Sequence, residues 1–181
     1  MLENSRNGKV VWLYGRPCSG KSTLSSYISE ALIKEGIPVI VLDGDELRHG
    51  INSDLGYSLN DRLENIRRAS EIAKLMAKQG FWIICSFVTP TRELRDLVST
   101  INTESELIVI YIHATLEVCV KRDVKGQYFE AKKQNISNFT GISSPFEEPV
   151  LFNKAINTVE LNILEATEKC MELIMHKSTS A

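Results

Sequence analysis

Eight residues near the beginning of the chain have the spacing of a phosphate-binding loop. Residues 15–22 read Gly-Arg-Pro-Cys-Ser-Gly-Lys-Ser and fit the pattern G-x-x-x-x-G-K-[ST]. Glycines let the backbone fold around an anion, so that successive N–H groups point at a phosphate. We expect Lys21 to reach the β- and γ-phosphates of a nucleotide and the Ser22 hydroxyl to ligate Mg²⁺. The loop predicts a protein that binds ATP or GTP through Gly15, Arg16, Pro17, Cys18, Ser19, Gly20, Lys21, Ser22 and Thr23.

Two acidic side chains, Asp43 and Asp45, follow the second apolar run of the chain. Carboxylates just past a strand end would face the phosphate loop across the ligand crevice of an α/β sheet. Phosphoryl transfer needs a metal ion, a positioned hydroxyl and a group that accepts its proton. Asp43 is the candidate to hold Mg²⁺ with Ser22, and Asp45 is the candidate base, although the spacing leaves these roles interchangeable. The alternative is a simple Asp-Gly turn with two solvated acids.

Basic and amide side chains come next, at Arg48, Arg62, Asn65, Arg67 and Arg68. Arg62 and Asn65 are three residues apart in a helical pattern, so they share a face. Arginine forks suit an anionic phosphoryl acceptor. The alternative is a solvated helix face on which Glu64 pairs with Arg68, and it fits Arg67 and Arg68 better than it fits Arg62.

Two aromatic residues are candidates to stack on a nucleotide base. Tyr57 follows a Leu-Gly pair, and Phe139 lies in a long segment, residues 122–149, that fits neither the helical nor the strand period. Such a long irregular segment is typical of a lid that closes over a substrate. Arg122 and Lys125 could close over the transferring phosphoryl group. Packing of Phe139 as an anchor for the lid is an equally good interpretation.

The elements that must position these residues alternate along the chain. Short apolar runs cover 10–14, 39–42, 81–85 and 107–112, and a weaker run covers 154–158. Amphipathic helical patterns cover 22–35, 61–79 and 161–175. This alternation predicts an α/β fold: a doubly wound, mostly parallel five-stranded sheet with helices on both faces, as in P-loop NTPases. We expect residues 1–181 to form one kinase domain that carries the lid.

Composition restricts the partners. The 181 residues carry a formal net charge of -2, which gives no reason to expect binding to nucleic acid or to a membrane surface. Residues 1–9 lack the apolar core of a signal peptide, and no apolar run is long enough to span a bilayer. The four cysteines show no metal-ligand spacing, and free thiols are typical of a reducing cytoplasm, where we expect the protein to reside.

Beyond the loop, several short blocks resemble adenylyl-sulfate kinases (APS kinases) in order and spacing, from about residue 9 to residue 149. The blocks are residues 15–22, 42–45, 48–50, 54–56, 61–62, 64–68, 122–123, 125–126 and 138–142. The loop alone does not separate kinases from other NTPases. The blocks Leu-Asp-Gly-Asp, Glu-Asn-Ile-Arg-Arg and Phe-Thr-Gly-Ile are together highly specific for that family.

The resemblance implies an ATP- and Mg²⁺-dependent kinase of sulfate assimilation. Such enzymes transfer the γ-phosphoryl group of ATP to the ribose 3′-hydroxyl of adenosine 5′-phosphosulfate (APS), giving 3′-phosphoadenosine 5′-phosphosulfate (PAPS). The resemblance also implies a homodimer. It places Arg122 among the residues that bind ATP, and it implies acceptor contacts from Asp45, Arg48, Tyr57, Arg62, Asn65, Val88, Thr89, Lys125, Phe139 and Thr140.

The chain departs from the family near the expected acceptor. Tyr57 and Gln127 stand where phenylalanine and leucine are usual. Thr89 stands where the family has a serine that has been proposed as a phosphorylated intermediate, so Thr89 is a candidate catalytic residue. These changes keep open a second acceptor class, such as the cytidine diphosphoramidate used by a related kinase of capsule synthesis. A silent nucleotide-binding module is the third alternative, but all of the expected catalytic side chains are present.

Overall fold

The strands form one parallel sheet. The computed structural model describes residues 8–123, 125–133, 138–150 and 154–175, and within these ranges five strands are hydrogen-bonded in the order β2-β3-β1-β4-β5. They are β1 (Lys9–Tyr14), β2 (Val39–Asp43), β3 (Trp82–Phe87), β4 (Glu106–His113) and β5 (Ala155–Asn157). Every pairing is parallel. The predicted five-stranded sheet is confirmed, with the strand that leads into the phosphate loop at its centre.

Helices cover both faces of this sheet. In the described ranges they are α1 (Lys21–Lys34), α2 (Gly44–His49), α3 (Leu59–Ala77), α4 (Arg92–Ile101), α5 (Leu116–Arg122), α6 (Gln127–Lys132) and α7 (Ile163–Met175). Apolar side chains of α1 and α7 pack on one face, and those of α3 and α4 pack on the other. The doubly wound architecture predicted from the alternating pattern is therefore confirmed.

The central strand shows why an apolar run becomes a strand in this fold. All six residues of β1 are buried. Val11 and Leu13 join the core beside α1, while Val10 and Trp12 join the core beside α3, because successive side chains point to opposite faces. Full burial of each such side chain contributes roughly 1.5–3 kcal/mol. This burial holds the carboxyl end of β1, and the loop that follows it, in a fixed place.

The segment after the second strand, for which a simple turn was the alternative interpretation, forms the short helix α2. The Asp43 carboxylate accepts a hydrogen bond from the backbone N–H of Asp45 at 2.9 Å, so Asp43 is the N-cap of a helix rather than a residue of a solvated turn. The interpretation as a simple turn was wrong because the capping side chain supports a helix over the next six residues.

Three further helices, α4, α5 and α6, were not predicted, although α6 lies in the segment that fits neither period, and one predicted helix begins later than predicted. Thr91 and Thr115 cap α4 and α5 with their hydroxyls, and these short helices follow strands in segments with little regular pattern. The last helix was expected from residue 161. The side-chain oxygen of Asn162 accepts from the backbone N–H groups of the second and third residues after it, so the helix begins at Ile163.

Several expectations fall partly outside the described residues. The absence of a signal peptide was inferred from residues 1–9, of which 1–7 are not described, and the predicted lid, 122–149, includes residues 124 and 134–137. A single kinase domain over 1–181 stays a prediction. No helix in the ranges that the structure describes is long and apolar enough to cross a membrane.

Candidate active site

A cavity of about 720 Å³ opens at the carboxyl ends of the strands. All but three of the site residues predicted from the sequence line it, although they come from parts of the chain as distant as residues 17 and 140. The exceptions are Gly15, Arg16 and Ser19 of the phosphate loop, of which Gly15 and Ser19 are buried. The prediction that strand ends collect the functional groups in one crevice therefore agrees with this geometry.

The phosphate loop is shaped by its glycines. A Cβ atom on Gly15 would lie 2.3 Å from the carbonyl oxygen of Ile112, so a larger residue cannot pass this close to β4. Gly20 has φ +99°, a conformation that L side chains rarely adopt. Gly20 lies directly before α1, so the first backbone N–H groups of that helix are directed at the cavity.

Lys21 is buried within this loop. Its ammonium donates to the carbonyl oxygens of Gly15 and Arg16, at 3.0 and 2.7 Å. Burial lowers the pKa of Lys21 to about 8, and the nearby Cys119 and Asp43 partly oppose that shift. A buried cation that lines the cavity attracts an anion strongly, because few water molecules screen it.

Ser22 and Asp43 provide the oxygen atoms expected of a magnesium site. The Ser22 hydroxyl donates to the Asp43 carboxylate at 2.7 Å, and the Ser86 hydroxyl lies 3.4 Å from the Ser22 hydroxyl. Hydroxyl and carboxylate oxygens are the ligands that Mg²⁺ prefers, alongside phosphate oxygens and water. The residues present therefore fit this metal.

Asp45 lies in the first turn of α2, and its carboxylate contacts the lid. Its carboxylate pairs with the ammonium of Lys125 at 2.5 Å, and this hydrogen bond raises the pKa of Lys125. The side chains of both residues remain about half exposed. The sequence left the roles of the two aspartates interchangeable. Their contacts differ in the structure, since Asp43 contacts the phosphate loop and Asp45 contacts the lid.

The opposite wall of the cavity is basic. The Arg48 guanidinium donates to the carbonyl oxygens of Leu55 and Gly56 and lies 4.5 Å from the centre of the Tyr57 ring. Arg62 donates to the Tyr57 carbonyl oxygen at 3.2 Å and to the Thr140 hydroxyl at 3.1 Å. Burial, with a smaller contribution from Arg48, lowers the pKa of Arg62. Two fixed guanidiniums and an aromatic ring thus lie beside one another, facing the phosphate loop.

Arg67 and Arg68 point elsewhere. Both donate to the carboxylate of Glu64, at 2.7 and 2.8 Å, and Arg68 also pairs with Asp54 at 2.7 Å. These contacts lower the pKa of Glu64 to about 2. Neither arginine lines the cavity, so the interpretation as a solvated helix face fits these two residues.

The loop after β3 forms the floor of the cavity. Thr89 is buried and has φ +40°, an unfavourable backbone conformation for a β-branched residue. Its hydroxyl accepts a hydrogen bond from the indole N–H of Trp12 at 2.9 Å. The preceding Val88 carbonyl oxygen accepts from the backbone N–H of Gly15 at 3.3 Å. This loop is therefore fixed to both the central strand and the phosphate loop.

The described part of the lid contacts both sides of the cavity. Phe139 packs edge-to-face on Tyr128, with ring centres 4.9 Å apart, and the Tyr128 hydroxyl donates to the Pro17 carbonyl oxygen. The contact with Tyr128 fits the anchoring interpretation, and Phe139 also lines the cavity, so stacking on a base stays a prediction. Arg122 donates to the hydroxyl and carbonyl oxygens of Thr158, at 2.9 and 2.6 Å.

Two parts of the site were missed in the sequence. The first is an apolar end of the cavity, formed beyond β5 by Thr158, Leu161, Ile163 and Ala166. The only signal was the position of Thr158 just after a strand end, and β5 has only three residues. This end adjoins Arg122 through Thr158, and three of its four residues are apolar.

The second is a short segment beside the cavity, Phe146–Glu148, which we call the strap; it lies inside the predicted lid, but its residues were not singled out. Glu148 pairs with Arg16 at 2.8 Å, and the Arg16 guanidinium lies 4.7 Å from the centre of the Phe146 ring. The neighbouring Glu147 carboxylate accepts from the backbone N–H of Arg92 at 2.5 Å, at the start of α4. The side chain of Arg16 thus holds the strap. Its place in the phosphate loop had suggested that it lines the nucleotide cavity, but it does not.

Comparison with known proteins agrees with this geometry. The model of the adenylylsulphate kinase family matches residues 7–157. A probable adenylyl-sulfate kinase of Halalkalibacterium halodurans is 49% identical over 160 residues, which are 88% of this chain and 79% of that protein. The adenylyl-sulfate kinase of Bacillus velezensis is 42% identical over 172 residues, 95% of this chain and 87% of that protein.

Solved structures lead to the same family. The Mycobacterium tuberculosis APS kinase CysC, in complex with AMPPNP and APS, has a TM-score of 0.90 and 35% identity, covering 94% of this chain and 99% of that chain. A hexameric APS kinase from Thiobacillus denitrificans has a TM-score of 0.70 and 26% identity, covering 95% of this chain and 29% of that chain. By sequence and by structure, the chain belongs to the adenylylsulphate kinase family.

Proposed function

We propose that this protein is an adenylyl-sulfate kinase that transfers the γ-phosphoryl group of ATP to the ribose 3′-hydroxyl of APS and so forms PAPS. The observation that carries the proposal is a single cavity with a phosphate loop on one side and Arg48, Arg62 and Asn65 on the other. Such a cavity presents two anion-binding walls, one for each substrate. The relative from Mycobacterium tuberculosis, of very similar fold, was solved with AMPPNP and APS together.

The phosphate loop binds the nucleotide. Its backbone N–H groups and the buried ammonium of Lys21 face the position of the transferring phosphoryl group. Ser22 and Asp43 would hold Mg²⁺, which neutralises charge on the phosphates when it is bound. The apolar end beyond β5, with Arg122 at its edge, suits the adenine base of ATP, since that base needs a flat and weakly polar environment.

Asp45 is the residue that orients the acceptor hydroxyl and accepts its proton. It is near enough to the metal-binding pair to act on the same phosphoryl group, because its backbone N–H is bonded to Asp43. Its pairing with Lys125 places the lid cation beside the reacting oxygen. We do not assign a covalent step to Thr89, because its hydroxyl is engaged by Trp12 and in-line transfer needs only positioning and charge stabilisation.

The basic wall binds the acceptor. Arg62 and Asn65 are one helical turn apart and hold the phosphosulfate group, while Arg48 faces the same nucleotide from α2. Tyr57 and Phe139 provide aromatic surfaces for the acceptor base. Thr140 is bonded to Arg62, so the lid and the acceptor wall are held together.

A direct comparison of acceptors tests the proposal. The protein is assayed by ADP release with APS and with cytidine diphosphoramidate, the acceptor that the departures at Tyr57 and Gln127 keep open. We expect kcat/KM to favour APS by more than tenfold, or about 1.4 kcal/mol. A higher kcat/KM for the cytidine compound contradicts the proposed acceptor. No ADP release with either acceptor contradicts kinase activity on nucleotides of this kind.

We also propose that the protein forms a homodimer and acts in the cytoplasm. The family resemblance supports the dimer, and size-exclusion chromatography with light scattering tests it, since a monomer or a hexamer contradicts it. Three of the cysteines, Cys85, Cys119 and Cys170, are buried free thiols, which supports a reducing compartment. Fractionation of the host cell tests this second proposal.

A further inference from the structure

A buried asparagine lies directly behind the acceptor wall. Asn52 is fully buried, and its side-chain amide nitrogen donates to the side-chain oxygen of Asn65 at 2.9 Å. Asn52 does not line the cavity, whereas Asn65 does. Asn52 therefore cannot contact a substrate in this conformation, and its effect on the reaction must pass through Asn65.

This contact fixes which end of the Asn65 amide faces the cavity. The Asn65 oxygen is already bonded to Asn52. Asn65 lines the cavity. Its side-chain amide nitrogen is not a buried atom without a hydrogen-bond partner. The end that opens on the acceptor is thus the –NH₂ group, which donates two hydrogen bonds and accepts none.

Asn52 is itself held from the backbone. Its N–H donates to the Leu47 carbonyl oxygen at 2.8 Å, and its own carbonyl oxygen accepts from the Leu55 N–H at 3.1 Å. Its side-chain oxygen is buried and has no hydrogen-bond partner within the described ranges. A buried amide oxygen without a hydrogen-bond partner is unfavourable. Asn52 therefore leaves its own oxygen without a partner while its amide nitrogen fixes the orientation of Asn65.

We propose that Asn52 is a positioning residue for the acceptor site. It holds the Asn65 amide with its –NH₂ group toward the anionic phosphosulfate and prevents the rotation that would present an oxygen to that anion. This inference rests on the proposed function, in which Asn65 binds the phosphosulfate group. It adds a residue outside the cavity to the set that determines acceptor affinity.

Substitution of Asn52 tests the proposal. We expect Asn52→Ala to raise the KM for the acceptor about tenfold, the effect of losing one well-oriented hydrogen bond to a charged group. The KM for ATP should change less than about twofold, because distant sites that share no partners act independently and Asn52 contacts the acceptor wall rather than the phosphate loop. Equal increases in both KM values overturn the proposal.

A second variant distinguishes orientation from packing. Asn52→Asp keeps the shape of the side chain, but a carboxylate only accepts hydrogen bonds. The Asn65 –NH₂ group should then turn toward residue 52 and leave its oxygen facing the acceptor. We expect a larger increase in acceptor KM than with Asn52→Ala. A smaller increase indicates that residue 52 acts by filling space, and overturns the proposal.

A double-mutant cycle and a matched control complete the design. In an Asn65→Ala background, Asn52→Ala should change the acceptor KM less than about twofold, since the two side chains act as one unit. Asn102→Ala is the control: Asn102 is also buried and its side-chain oxygen also lacks a described partner, but it caps the end of α4, outside the cavity lining. It should lower the melting temperature and leave both KM values unchanged.

The two proposals fail in different measurements. Turnover of APS by the unmodified protein decides the proposed function. The ratios among the Asn52 and Asn65 variants, measured with whichever of APS and cytidine diphosphoramidate the unmodified protein phosphorylates, decide the positioning role. If Asn52→Ala raises the acceptor KM by the same factor with and without Asn65, Asn52 does not act through Asn65 and the inference is wrong.

Discussion

Replacing Asp45 with asparagine separates the chemistry of its carboxylate from its contribution to the fold. The Asp45–Lys125 pair has side chains that are 49% and 63% exposed, and pairs so exposed contribute less than about 1 kcal/mol. Asp45 also lies in the first turn of α2, where a negative charge adds roughly 0.3–1 kcal/mol. The stability lost by Asp45→Asn should therefore be small, and the melting temperature should fall by roughly 2–4 °C for each kcal/mol.

The catalytic loss should be much larger. An amide cannot accept the proton of the acceptor hydroxyl, and removal of a general base lowers kcat about 10²–10⁴-fold. This loss corresponds to roughly 2.7–5.5 kcal/mol on the activation barrier. ATP affinity should remain, because Lys21, Ser22 and Asp43 keep their contacts. Steady-state ADP release with saturating APS gives kcat, and titration calorimetry gives the dissociation constant of ATP.

A matched control makes this result interpretable. Asp54→Asn removes an exposed carboxylate that pairs with Arg68 at 2.7 Å and does not line the cavity. It should cost similar stability and leave kcat unchanged. A kcat for Asp45→Asn within threefold of the unmodified protein would refute the assigned role of Asp45. A collapse of ATP affinity with unchanged kcat would instead make Asp45 a ligand of the metal.

Three further predictions concern the two walls of the cavity. Lys21→Ala should abolish turnover while circular dichroism shows an intact fold, since its ammonium stabilises the transferring phosphoryl group by several kcal/mol; near-normal turnover is incompatible with the loop mechanism. Arg62→Ala should raise the KM for APS far more than that for ATP, because the guanidinium faces the acceptor and holds Thr140; equal increases would mean that Arg62 only supports its helix. The affinity for ATP should weaken as the pH rises through about 8, since the folded-state pKa of Lys21 is lowered to about 8 and its ammonium is lost above that value. Between this lowered pKa of about 8 and the ordinary lysine pKa of 10.5, the unfolded chain binds more protons at Lys21, so the contribution of this residue to stability rises with pH. Isothermal titration between pH 7 and 9.5 measures the affinity for ATP. An affinity that does not change over that range contradicts the role of the Lys21 ammonium in binding ATP.

The central strands and the phosphate loop could be predicted because their signals are local. β1 is buried on both faces, so its sequence is a continuous apolar run, and the loop that follows it has a fixed spacing of glycine, lysine and serine. The aspartates could be placed because the carboxyl ends of parallel strands meet at one edge of the sheet. Arg62 could be placed because it shares a helical face with Asn65. These inferences needed only the period of the pattern and the topology that it favours.

The remaining features depend on contacts between distant segments. The side chain of Arg16 occupies a variable position of the loop motif, and only the folded chain shows that it pairs with Glu148, 132 residues later. The apolar end near Leu161 belongs to the cavity because the three-residue strand β5 brings it there. The helix α2 is different, because its cap is local: Asp43 accepts from the N–H of Asp45 two residues later, and this cap outweighed the turn tendency of Asp-Gly. The contacts of Arg16 and Leu161 have no local signature in sequence.

The hydrogen bond between Trp12 and Thr89 also gives the protein an optical property. The indole is fully buried, stacks on Phe87 at 4.9 Å and donates to the floor of the cavity, and indole emission depends on such contacts. The chain has two tryptophans, and the other, Trp82, lies at the far end of β3 beside Lys9. With Trp82→Phe, the tryptophan emission would come from Trp12 alone, an internal fluorophore bonded to Thr89 in the lining of the cavity.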